Sequence, residues 1–144
     1  MKLIVLDYET NFVNNFLKKE YRERMLFDLS KEENRWLKVG KKIENIENYL
    51  RREVNHIAGP KELIGCENIF KYLKYKKSSP CYYFSPPNDY DRSIISLAEA
   101  VNLSETNPSL EVLLICEDCK TIYVRREKGV VCVPRDIFSI KQIY

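Results

Sequence analysis

Two short apolar runs, each ending in carboxylates, constrain this chain more than any other feature. Leu3-Ile4-Val5-Leu6 precedes Asp7 and Glu9, and Val112-Leu113-Leu114-Ile115 precedes Glu117 and Asp118. Uninterrupted apolar runs of this length read as buried strands of a parallel sheet. Ligands in open α/β sheets gather beyond the carboxyl ends of such strands. Two acidic strand ends therefore point to a site for a divalent metal.

The 144 residues fit one domain spanning 1–144, and 44% apolar with 31% charged residues is a globular composition. No apolar stretch approaches the roughly 20 residues that span a bilayer. The N-terminal run is too short for a signal-peptide core, so the expectation is a cytoplasmic protein without membrane contact. Five cysteines, at 66, 81, 116, 119 and 132, argue against a secreted disulfide framework.

Net charge is only +3, yet the cations lie in islands. These are Lys18-Lys19 with Arg22 and Arg24, Lys41-Lys42, Arg51-Arg52, Lys71 to Lys77, and Arg125-Arg126 with Lys128. Basic surfaces around an acidic centre suit an enzyme that attracts phosphates and holds a metal. Lys71, Lys74, Lys76, Lys77, Arg125 and Arg126 are the candidate RNA contacts, with Tyr72 and Tyr75 spaced as ordinary helix packing.

Periodicity gives a strand over 2–7 and helices over Asn11 to Arg24, around Trp36 to Gly40, over Lys41 to Ile57 and over Lys61 to Lys77. A strand follows at 81–84, a helix at Asp91 to Leu103 and a strand at 111–116. Residues 119–128 suit a strand by propensity and a helix by topology. A short strand at Val130 to Val133 and a helix over Ile137 to Tyr144 close the chain. This order predicts an α/β domain, a mostly parallel sheet in three layers with helices on both faces. Asp7, Asp91 and Asp118 then fall at matching strand ends, where clustered oxygens suit magnesium or manganese.

The C-terminal half resembles the PIN-domain nucleases, through Asp91 to Ala98 (DRSIISLA), Glu111 to Asp118 (EVLLICED), and Lys128 to Pro134 with Ile137-Phe138. LIVLDYETNFV resembles the family's opening strand, with Asp7 or Glu9 in place of its first acid. The resemblance implies a metal-dependent ribonuclease in which Asp7, Glu47, Asp91 and Asp118 hold magnesium or manganese. Glu44 and Glu53 are alternatives to Glu47, and Glu9, also a candidate metal ligand, and Glu117 stand in reserve. It also implies an endoribonuclease of the toxin type, with an antitoxin-like protein partner and a homodimer.

Other readings stay open. One is a catalytically inactive PIN-like or Rossmann-like module that binds nucleic acid or a protein. Asp7-x-Glu9 also looks like the first motif of the DEDD exonucleases, but Cys132 stands four residues before Asp136, where that family carries Tyr or His. Cys116-x-x-Cys119 with Cys132 looks like three-quarters of a zinc site, the fourth ligand being Cys66, Cys81 or His56.

Overall fold

The computed structural model describes residues 3–31, 33, 35–59, 62–63, 66–86, 88–106, 111–125 and 138–143. Its centre is one six-stranded sheet. The strands are β1 (Asn55–Ala58), β2 (Pro80–Phe84), β3 (Ser93–Ser96), β4 (Val112–Cys116), β5 (Thr121–Arg125) and β6 (Phe138–Gln142), in spatial order β1-β6-β5-β4-β2-β3. Every pairing is antiparallel.

That overturns the mostly parallel, PIN-like sheet. The reason lies in the connections. Four residues join β4 to β5 and eight join β2 to β3, spans that make antiparallel neighbours and are too short for a parallel crossover. Non-glycine residues in left-handed backbone assist both turns, Cys119 (φ 58°) and Arg92 (φ 69°).

The opening apolar run is not a strand. Helix α1 (Val5–Phe16) places Tyr8, Phe12 and Phe16 at i, i+4 and i+8 against the sheet, while Ile4 and Leu6 are 59% and 66% exposed. The expected helix over 11–24 breaks at Leu17, whose extended backbone bridges to Leu50. Helix α2 (Lys19–Ser30) then buries Met25 and Leu29 one turn apart. A π-helical turn (Trp36–Gly40) runs straight into α3 (Lys41–Glu44), so Gly40 continues the helix at φ −57°. The long helix expected over 41–57 ends at Asn45, and a 3-10 turn (Ile46–Asn48) and β1 occupy the rest. The apolar stripe expected there, Ile43, Ile46, Leu50, Val54 and Ile57, is divided: Ile43 and Ile46 are buried with Leu50 and Val54 beside them, while Ile57 packs against the other face of the sheet.

Helix α4 spans only Cys66–Tyr72. The segment expected as a helix from Asp91 instead carries β3, since the β-branched pair Ile94-Ile95 pairs with β2, and α5 (Leu97–Thr106) starts afterwards. Thr121 to Val124 is strand, as propensity favoured. The expected terminal helix is β6. Val130 to Val133 lies outside the described residues.

Strand alternation sorts two cores. Tyr82, Phe84, Leu113, Ile115, Ile122 and Val124 face α1 and α2. Cys81, Tyr83, Val112, Leu114, Tyr123 and Ile140 face α4 and α5. Among the described residues no helix is long and apolar enough to cross a membrane.

Candidate nucleic-acid interface

The expected acids separate into distinct settings. Asp7 sits in the first turn of α1, and its Oδ2 accepts the Ile4 N–H at 3.0 Å. Glu9, two residues on, points into the core and is 5% exposed. Glu47 lies on the exposed 3-10 turn, 3.8 Å from Lys141 Nζ. Asp118 caps the β4–β5 turn, accepting from Lys120 N–H at 3.0 Å and from the Tyr75 hydroxyl at 2.9 Å. That hydroxyl has one proton to give, so its 2.9 Å contact with Thr121 Oγ is one in which it accepts. Glu117 is exposed beside it.

Glu9 and Asp91 do meet, but on a cation. Arg35 Nη2 donates to Glu9 Oε2 at 2.7 Å and Arg35 Nε donates to Asp91 Oδ2 at 2.8 Å. All three side chains are at least nine-tenths buried. Tyr82 O–H donates to the same Glu9 oxygen, Ser85 N–H donates to Asp91 Oδ1 at 2.9 Å, and Phe84 lies 5.3 Å beneath the guanidinium. Burial disfavours the charged guanidinium, but the hydrogen bonds and charges of Asp91 and Glu9 overcome it and push its pKa up. Burial and the Glu9 carboxylate push the Tyr82 hydroxyl up as well. Arg35 thus stands where a divalent ion would need open carboxylate oxygens.

Asp118 does not join this group. Cys81 pairs with Cys116 and Phe84 with Leu113, so the Asp118 turn and the Asp91 turn cap opposite ends of the β2–β4 pair. About 10 Å of strand separates them. The two also serve opposite faces, Tyr75 beneath α4 and Glu9 on α1. Among the described residues no three His, Cys, Asp or Glu side chains gather so as to hold a metal ion. Asp7, Asp91 and Asp118, expected around one ion, therefore stand in three separate settings.

Cys81, Cys116 and Cys119 are buried free thiols. Cys116 packs with the α4–α5 core and Cys119 with the α1–α2 core. Burial pushes Cys119 up to about 11 and raises Cys81 and Cys116 as well. Cys132 lies outside the described residues.

Of the expected RNA contacts, Lys71, Lys74, Lys76 and Lys77 are exposed, and Lys77 Nζ lies 4.9 Å over the Phe70 ring. Arg125 is paired with Glu105 at 2.8 Å. Arg126 and Lys128 lie outside the described residues.

A different basic cluster is the one the fold assembles. The Leu17–Leu50 bridge is flanked by two backbone hydrogen bonds, Lys18 N–H to Tyr49 O at 2.9 Å and Arg51 N–H to Phe16 O at 2.8 Å. They bring Lys18, Lys19 and Arg22 against Arg51 and Arg52, lining one open cleft of about 430 Å³ in which Glu53 is the single acid among the described residues. Five cations against one carboxylate is a larger local excess than the +3 of the whole chain.

Two of these guanidiniums are held in place. Arg22 Nε donates to Leu17 O at 3.0 Å and Arg51 Nη1 to Asn15 O at 3.1 Å, and Arg51 Nε also lies 3.7 Å from Glu53 Oε2. Both islands are plain in the sequence. Their meeting is not, because it depends on a pairing between residues 33 positions apart. The chain matches no family model, no curated protein and no solved structure.

Proposed function

We propose that this chain is an RNA-binding module whose Lys18–Arg22 and Arg51–Arg52 cleft neutralises consecutive phosphates. One observation carries the reading: two basic segments distant in sequence line a single cleft, with two arginines pre-positioned on backbone carbonyls. Guanidinium groups fork onto phosphate oxygens, and pre-positioning lowers the entropy lost on binding. Binding is favoured over hydrolysis because the carboxylates that hydrolysis would require are engaged by Arg35, by the start of α1 and by Tyr75.

Fluorescence anisotropy with a labelled RNA strand tests the reading. Five phosphate contacts should cost about 10²-fold in affinity between about 50 and 200 mM salt. Lys19→Glu with Arg52→Glu changes two exposed side chains and should weaken binding by about 10-fold while flattening the salt dependence. Unchanged affinity in that variant overturns the proposal. Incubation with manganese in the same assay reads hydrolysis directly, since cleavage would shorten the strand.

A further inference from the structure

Beside the basic cleft lies an apolar pocket of about 250 Å³. Its walls are Leu17, Met25 and Ile46 together with the rings of Tyr21 and Tyr49, which meet edge to face at 4.9 Å. Arg24 and Lys42 also line it. Both cations share one acid, Asp28, at 3.3 Å from Arg24 Nε and in hydrogen bond with Lys42 Nζ, so the rim keeps a positive excess.

Pocket and cleft are continuous through the backbone. Leu17 lines the pocket and Lys18 the cleft, and Lys18 N–H is bonded to the carbonyl of Tyr49. On α2, Tyr21 and Met25 form one i, i+4 row, directly beside Arg22, with Lys18 at the helix N-cap.

We infer that this pocket takes one unpaired base of the strand whose phosphates occupy the cleft, so that the chain selects single-stranded over duplex RNA. The inference rests on the proposed RNA binding and adds its strand class. A flat apolar ring fits the chemistry of the walls, and half-buried tyrosines offer edges and faces to any base. The cationic rim supplies the complement to the phosphates on either side of that base. In a duplex the bases are stacked and paired, and none reaches a pocket beside the backbone track.

The test compares three probes of equal length on the intact protein: a single strand, a single strand of the same charge with abasic positions, and a duplex, which carries twice the phosphates. Stacking of one base should make the unmodified strand bind about 5- to 150-fold more tightly than the abasic one. Tyr21→Leu with Tyr49→Leu should remove that preference while leaving the salt dependence of the abasic strand unchanged. Because this variant removes a packed ring pair, cross-linking serves as the second readout on the unaltered protein. A strand carrying 5-iodouracil should label the peptide containing Tyr21 or Tyr49. Equal binding of all three probes, with a steep salt dependence retained, overturns the pocket inference and leaves the cleft reading standing. Absence of binding to every probe overturns both, as does binding to vesicles of anionic phospholipid without binding to RNA.

Discussion

Arg35 donates to Glu9 across 2.7 Å, joining the turn before the π-helical segment to the buried face of α1. The same guanidinium holds Asp91, so one cation holds two acids that are 82 residues apart in sequence. Arg35→Met should leave two buried carboxylates without their partner and cost about 3–5 kcal/mol. A urea melt with linear extrapolation checks this. Arg35→Lys should recover only part of the loss, because a single ammonium replaces a fork that reaches two carboxylates. A Met variant within about 1 kcal/mol of the parent refutes this account.

Asp28 predicts a loss of stability in acid. Burial raises its carboxyl pKa, but the Lys42 hydrogen bond and the charges of Lys42 and Arg24 more than offset this and hold it below the ordinary carboxylate value. A folded-state pKa below the unfolded one gives stability that is full above about pH 4 and is lost as pH falls further. Lys42→Met should cost roughly 2 kcal/mol at neutral pH, and the gap from the parent should shrink in acid. Arg24 is 68% exposed on its side chain, so Arg24→Ala should change stability much less.

Four tyrosines predict the alkaline limit. Burial, reinforced by nearby Cys119 and Cys81, pushes Tyr8 up to about 12, and burial pushes Tyr83 up to about 12. Tyr75 and Tyr82 are raised as well, by burial first. A folded-state pKa above the unfolded one gives stability that is full below about pH 10 and is lost as pH rises from there toward 12. In a spectrophotometric titration at about pH 11, at least four of the ten tyrosines should stay un-ionised until the protein unfolds. Complete tyrosinate formation without unfolding would contradict the burial of these rings.

Asp7 predicts a local effect. Its carboxylate accepts a backbone N–H at the start of α1, so Asp7→Ala should lower stability by about 1 kcal/mol. Melting curves with and without manganese should show the same metal increment for Asp7→Ala, Asp118→Ala and the parent. A manganese increment lost in both variants would mean that these two acids share a metal.

The sequence was informative wherever one element's own pattern decided the outcome. Val112 to Cys116 is strand because five consecutive residues are buried between two helical layers. Leu3 to Leu6 has the same local composition and a different fate, since Tyr8, Phe12 and Phe16 continue it at helical spacing. Short apolar runs do not separate these cases. Ile94-Ile95 carried a helical stripe and a β-branched pair together, and the hairpin with β2 decided between them. Glu9 and Asp91 stood out as acids, but nothing near either residue announced Arg35. The basic islands at 18–22 and 51–52 were equally visible, and only the chain crossing made them one surface.

That crossing has a consequence for how the chain matures. Phe16 to Lys18 and Tyr49 to Arg51 hold each other by one bridge and its two flanking backbone bonds, and each side brings part of the cleft's cations. If the cleft binds RNA as proposed, a nascent or partly melted chain presents two half-sites that the closed chain joins into one. Occupancy of the cleft therefore draws the equilibrium toward the closed form by mass action. On that reading an anionic strand bound there acts as a fastener for the first fifty residues, raising the melting temperature with the logarithm of its concentration over Kd.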